Sequence, residues 1–397
     1  MPEDYVFFEF NRESSILLIG FLQGIIYAVL LISRARREER IADYFAAGIL
    51  LVGALFVAQW MLGFAGWYDA HDWRTTVMFY FKWSNVAALG PLIWFYFRSI
   101  TNGDFKWKRS YWWHFLLWGI LSLDTVAIFT YDFIYHALIQ GKAFTFFHNT
   151  RGPASEWDNN SSLWIGPLLF YSARLQLFVY LLWALLDLRK YQRYVRAEFS
   201  NAEQLSLRGF RIGIYTLLVG MFIVITLSLA ARYFDWNYQG AWYTFFVMAV
   251  LIYLGGILFY NTSPKSYRQV KFIPSKKPAL ALANTPTTYN VKSTATEPSA
   301  LHLWSLKLKD YLAKEKAYLH PELSLSELAK GLKTNSSVLS KVINHVHGLN
   351  FNDFINSQRC VVFVQKLKEG EHHQRTLLSL AMDSGFNSKA TFNRAFK

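Results

Sequence analysis

Near the C-terminus, Ser336 to His345 places Val338, Leu339, Val342 and Ile343 at helical spacing and leaves Ser336, Ser337, Ser340, Lys341 and Asn344 on the opposite face. Such side chains can read a major groove. Lys341 reaches guanine acceptors or phosphate, Asn344 bonds adenine or phosphate, and the serines permit close approach, although a solvated helix face has a similar composition. A second polar set lies inside apolar stretches: Lys82, Asp124 and Arg174, with Gln59, Asn85 and Gln176. Ionisable groups there are costly and usually face a bundle interior or a wet cavity. The set reads either as an outward-facing sensing pocket or as packing ties between helices. Bond-making chemistry has no comparable signal: there is no His-Glu-x-x-His, no phosphate-cradling glycine loop and no Gly-x-Ser-x-Gly elbow. His372-His373 and His345-x-His347 sit on polar helix ends and read as solvated. No enzyme activity, cofactor or metal is expected.

The groove-facing helix needs a partner to hold it. Leu325, Leu328, Ala329 and Leu332 follow the i, i+3, i+4, i+7 rule, with Ser324 as a cap and Glu327 three residues on. Lys333-Thr334-Asn335 then makes a tight turn into Ser336, which predicts a helix-turn-helix. The pattern repeats. After a long helix from about Phe351 to Lys368, Thr376 to Asp383 offers Leu377, Leu378, Ala381 and Met382 to a core. Ser384-Gly385-Phe386-Asn387 then turns the chain. Ser388 to Lys397 buries Phe392 and Phe396 and presents Lys389, Thr391, Asn393, Arg394 and Lys397. A connecting helix of about 18 residues spans some 27 Å, which with the widths of the flanking helices is comparable with the roughly 34 Å between successive major-groove faces.

The front of the chain belongs to another solvent. Of the 397 residues 53% are hydrophobic and 18% aromatic, and the excess lies before Pro264. Spans are expected at 15–33, 43–63, 76–97, 111–131, 163–186, 210–232 and 241–260, each long enough for roughly 30 Å of hydrocarbon. The net charge of +14 suits nucleic acid, anionic lipid or membrane topology alike, so its distribution decides. Arg34, Arg36, Arg37 and Arg40 follow the first span, Arg98, Lys106, Lys108 and Arg109 the third, Arg189, Lys190, Arg193 and Arg196 the fifth. Lys265, Arg268, Lys271, Lys276 and Lys277 follow the seventh, while the even connections carry Asp69, Asp72, Asp132, Glu156, Asp158 and Asp235. The N-terminus is therefore expected outside and the C-terminus in the cytoplasm. Gly20 and Gly24, and Gly209 and Gly213, have the spacing that lets helices approach closely, a pattern common by chance. The connection from Asp132 to Ser162 is long enough for a lid, or for a floppy exterior loop. A single cysteine, Cys360, excludes an internal disulfide.

From Pro264 to Ala300 periodicity vanishes into Pro, Thr, Ala, Ser and Lys, a solvated connector. The expected domains are a seven-span membrane sensor over 1–263, a flexible linker over 264–300 and a DNA-binding domain over 301–397. The fold class is all-α: a polytopic seven-helix bundle plus a soluble helical domain with two helix-turn-helix units.

Leu325-Ser-Glu-Leu-Ala-Lys-Gly-Leu, Leu339-Ser-Lys-Val-Ile-Asn, Gly348-Leu-Asn-Phe351 and Phe354-Ile-Asn-Ser-Gln-Arg359 resemble the AraC-type DNA-binding domain. So do Ala381-Met-Asp-Ser-Gly-Phe386-Asn-Ser and Phe392-Asn-Arg-Ala-Phe-Lys397. The whole chain is similar to membrane-integrated AraC-type regulators. The resemblance implies base-reading positions at Ser337, Ser340 and Lys341 and at Lys389, Ala390, Thr391 and Arg394, with backbone contacts from Asn335, Ser336 and Asn344. Arg359 matches an arginine that is more often structural. Family members continue into a glycine-proline turn and a further helix; this chain stops at Lys397, so on this reading its last helix is missing. The expected protein is a bacterial inner-membrane transcriptional regulator. Its partners would be promoter DNA, the lipid bilayer, an unknown small-molecule or membrane-derived signal, and a second copy if it forms a homodimer. The alternatives are a transporter or channel with a regulatory tail, and a scaffold whose tail binds protein.

Overall fold

The computed structural model describes residues 8–70, 74, 80–81, 85–142, 152–154, 165–262, 270, 272 and 298–396. Lys82, most of the 264–300 linker and most of the 132–162 connection lie outside these residues, as does the side chain of Asp124. The described chain is all-helical and forms two compact units. The first comprises Met1–Leu186 and Arg208–Arg268; the second comprises Asp187–Leu207 and Gln269–Lys397.

The first unit contains α1 (Arg12–Glu38), α2 (Ile41–Phe64), α3 (Val86–Ile100), α4 (Arg109–Ile139) and the start of α5 (Ile165–Glu198). It is completed by α6 (Arg208–Tyr233) and α7 (Asn237–Asn261). Five of the described helices, α1, α2, α4, α6 and α7, are long and apolar enough to cross a membrane. The described part of the third expected span is the shorter apolar helix α3. Backbone hydrogen bonds close within each helix, which is what hydrocarbon demands.

Helix α1 packs on both α2 and α7. Close approach comes from glycine: a Cβ added at Gly20 would lie 2.5 Å from that of Ala249, and one at Gly24 would meet Ile252 and Ala54. Gly209 and Gly213, with the same spacing, face open space. At one end of this trio an ion pair is buried. The Arg34 guanidinium donates to both Asp43 oxygens at 2.7 and 3.0 Å and to the Tyr260 and Phe259 carbonyls at 2.6 and 3.2 Å, while Asp43 is only 1% exposed. Cations suit carbonyls at a helix C-terminus, where the amide dipoles leave partial negative charge. Arg34 thus does more than set topology: it joins three helices.

The second unit holds α8 (Pro298–Glu315), α9 (Leu325–Gly331), α10 (Ser336–His347), α11 (Phe351–Lys368), α12 (Leu377–Asp383) and α13 (Lys389–Phe396). Helices α9 and α10 share a core of Leu325, Leu328, Leu339, Val342 and Ile343, closed by Leu308 and Leu312 of α8 and by Phe351, Phe354 and Ile355 of α11. Helices α12 and α13 pack on the other end of α11, around Phe363, Leu380, Ala381 and Phe386. Each helix pair therefore has its own core, and α11 belongs to both.

The local rules hold at the first pair. Ser324 and Glu327 form the reciprocal cap, and Lys333 takes the left-handed conformation (φ 53°) in the turn. At the second pair the inward face of α12 is Leu380 and Ala381, whereas Leu377 and Leu378 are exposed, correcting the expected set. A helix of two turns can offer only a few residues to Phe363, and the first turn projects past it. Phe396 is likewise exposed, although its ring lies 5.1 Å from that of Phe363. Two linker residues differ from a solvated connector. Val270 and Phe272 are buried, the latter ring lying 5.4 Å from Tyr191 and 5.6 Å from Tyr194 of α5.

Breaking a buried ion pair from one side leaves an uncompensated charge and costs about 3–5 kcal/mol. Asp43→Ala is expected to lower the thermal midpoint of the detergent-solubilised chain by several degrees. Asp310→Ala, at the exposed pair with Lys314, should change it hardly at all; scanning calorimetry makes the comparison.

Candidate nucleic-acid interface

Helix α10 begins at Asn335, whose Oδ1 accepts from the Val338 amide at 2.8 Å, so this side chain is spent on the cap. Ser336, Ser337 and Lys341 are half-buried and lie along one side of α10; Asn344 follows one turn on, also half-buried. Its Nδ2 donates to the Ser340 carbonyl at 2.7 Å and to Ser340 Oγ at 3.2 Å. Ser340 itself is 5% exposed. The sequence reading put Ser340 on the open face, and the structure turns it inward, where its hydroxyl is satisfied within the helix. Gly348 ends α10 at φ 67°, donating its amide to the Asn344 carbonyl.

Lys389, Ala390 and Arg394 of α13 are exposed, whereas Thr391 is 1% exposed and its hydroxyl bonds Ser388 Oγ at 2.8 Å. Thr391 therefore serves the helix start and not the open face, a second correction. The turn before α13 depends on Gly385, at φ 96°, where a Cβ would lie 2.5 Å from the Tyr318 carbonyl oxygen. Only glycine fits there.

Arg359, set aside from the contacting residues, is fully buried on α11. Its Nε donates to the Tyr318 carbonyl at 2.7 Å, Nη1 to Asn356 Oδ1 at 3.1 Å, and Nη2 to the His320 carbonyl at 2.8 Å and Ser200 Oγ at 3.1 Å. Burial pushes its pKa down to about 10, which leaves it charged at neutral pH.

Ser200 introduces residues that the sequence reading missed. The segment after α5 lies on the helix pairs as a strap: the Ser200 amide donates to the Leu323 carbonyl at 3.0 Å, and Asn352 Nδ2 donates to the Phe199 and Ser200 carbonyls at 3.3 and 2.8 Å. Further along, Gln204 exchanges amide bonds with Asn387, and Glu203 pairs with Arg394. No local signal marks these contacts, because Glu203 and Arg394 stand 191 residues apart.

Asn85 and Gln176, two of the six expected sensing-pocket residues, bond across helices. Asn85 Nδ2 donates to the Trp118 carbonyl at 2.9 Å and to Ser122 Oγ at 2.7 Å, and Gln176 donates to the His114 carbonyl at 3.5 Å, both ties between helices. Gln59 and Arg174 are half-buried. Lys82 and the side chain of Asp124 lie outside the described residues. A cavity of about 110 Å³ lies elsewhere in the first unit, lined by apolar side chains including Leu50, Ile93, Leu217, Met248 and Ile252, and by none of the six. Among the described residues no group of three or more His, Cys, Asp or Glu side chains is placed to hold a metal.

Comparison with known proteins adds one short match. The chain is 33% identical over 81 residues to an uncharacterized HTH-type transcriptional regulator of Staphylococcus aureus (strain COL). The match covers 20% of this chain and only 10% of that protein. No family model matches the chain, and no solved structure does.

Two predictions rest on this unit. Arg359→Lys cannot supply the planar fork of donors, so the unit should lose about 3 kcal/mol and become protease-sensitive, as limited proteolysis of the full chain will show. Burial also pushes the Glu198 carboxyl up to about 7 from its ordinary 4.5. The folded state then holds the proton more tightly than the unfolded chain does. Its contribution is complete below about pH 4.5 and lost as pH rises through about 7. Glu198→Gln should melt with the wild type at pH 4.5 and above it at pH 8.

Proposed function

We propose that this protein is a membrane-bound transcriptional regulator, in which a seven-helix membrane domain senses a signal and a cytoplasmic AraC-type domain with two helix-turn-helix units binds promoter DNA. The observation that carries the reading is the second unit's plan: two short helix pairs, each with its own core, joined by one helix of 18 residues. At 1.5 Å per residue α11 is about 27 Å long, close to the separation needed for two successive major-groove faces. The similarity to an HTH-type regulator supports it independently.

In this reading Ser336, Ser337, Lys341, Lys389, Ala390 and Arg394 meet DNA directly, Asn335 and Asn344 shape α10 beside the phosphates, and Ser340 and Thr391 hold the recognition helices in place. The five membrane-length helices support residence in a membrane; in this reading it is the bacterial inner membrane, and the cations after the odd-numbered spans put the C-terminal domain in the cytoplasm. Gln59, Lys82, Asp124 and Arg174 remain the proposed polar sensing set, with Asn85 and Gln176 tying the helices around it. The apolar lining of the cavity in the first unit favours a membrane-derived signal over a highly charged one. Signal binding would act by differential affinity for two states of the bundle, changing how the DNA-binding domains pair or move.

Crosslinking of the full-length protein to DNA in its native membrane should give discrete promoter peaks, and Lys341→Ala should erase them with membrane insertion intact. Duplex affinity should fall by about 0.9 log units per log of salt for each phosphate neutralised. A flat salt dependence overturns the reading.

A further inference from the structure

Residues 199–204, between α5 and α6, make two kinds of contact with the helix pairs. The base of this strap is buried. Ser200 is 0% exposed; its amide bonds Leu323, its hydroxyl donates to the Pro321 carbonyl and accepts from Arg359, and Phe199 bridges to Ser324 beside the first pair. Opening it would strand several buried polar groups. The tip is different. Glu203 and Arg394 are 30% and 41% exposed, and the amide exchange between Gln204 and Asn387 is exposed as well. Arg394 also reaches Asn352 Oδ1 at 3.1 Å and Asp353 Oδ1 at 3.5 Å.

We infer that residues 199–204 form an autoinhibitory clasp in which the Glu203 carboxylate occupies Arg394 of the second helix-turn-helix, in the place a DNA phosphate or base acceptor would take. The inference rests on the DNA-binding reading above. A carboxylate offers a guanidinium the same planar pair of acceptors that phosphate does. Exposed ion pairs are close to break-even in water, so the dense phosphate charge of a duplex can displace Glu203 while the Ser200 base stays docked. The clasp is continuous with α5 on one side and α6 on the other, so a shift of either helix is delivered to Glu203 along the chain. The first helix-turn-helix carries no such contact from the tip among the described residues, so only the second is gated.

The test uses full-length protein in lipid nanodiscs and a mixed-sequence duplex long enough for two successive major-groove faces. In one variant Gln204→Cys and Asn387→Cys are joined by a short bis-methanethiosulfonate bridge that reductant cleaves. Cys360 is half-buried with its thiol pKa raised by burial, and parents carrying either single substitution control for it. The bridged form should bind duplex at least roughly tenfold more weakly than the reduced form, the worth of one good base contact. Glu203→Gln should bind roughly threefold more tightly than wild type, and Arg394→Ala should abolish that gain. Equal binding by bridged and reduced forms, with both binding duplex, overturns the clasp and leaves the DNA-binding reading standing. Absence of duplex binding by every form, Glu203→Gln included, overturns both.

Discussion

The buried guanidinium of Arg359 holds the second unit together. Among the described residues it has no carboxylate partner, and its charge is dispersed over the carbonyls of Tyr318 and His320, the amide of Asn356 and the hydroxyl of Ser200. Those acceptors come from the loop before α9, from α11 itself and from the strap. One side chain thus fixes where the first helix pair begins, how α11 is oriented and where residues 199–204 lie. Desolvating a charge is expensive, and the arrangement is stable only while every donor keeps its acceptor. Gly385 belongs to the same construction, since its missing side chain lets the turn of the second pair come against the Tyr318 carbonyl that Arg359 also binds.

Much of the second unit was legible because it obeys local rules. Ser324 and Glu327, the Lys333–Asn335 turn, and Gly348 and Gly385 are set by capping and backbone conformation within a few residues. The apolar faces of α9 and α10 follow from periodicity. Small polar residues are where the reading fails. Ser340 and Thr391 carry no hydrophobic mark, yet each is buried with its hydroxyl bonded inside its own turn, so periodicity alone assigns them to the wrong face. Leu377 and Leu378 err in the other direction, apolar but exposed on a helix too short to cover them.

Long-range polar contacts were not legible at all. Arg34 and Arg40 fit the topology rule, and nothing near them in sequence announces that Arg34 reaches the carbonyls of Phe259 and Tyr260. Residues 199–204 look like an ordinary connection between apolar stretches, and the side-chain partners of Ser200 and Glu203 lie more than 120 residues later. Of the polar residues within apolar stretches, Asn85 and Gln176 tie helices together, the less exotic of the two readings their types allow.

The close seating of α1 against α7 has a consequence for biosynthesis. The Trp242 indole donates to the Glu13 carbonyl across 229 residues, and Gly20 and Gly24 face Ala249 and Ile252 over a similar distance in the chain. At about 5–20 residues per second, translation takes roughly 10–45 s to deliver the last of these helices after the first. For that interval Gly20 lacks its α7 neighbour, and Gly24 has only α2, at Ala54, against it. The bundle can close only when its final helix arrives, which makes completion of α7 the committing event in assembly of the first unit.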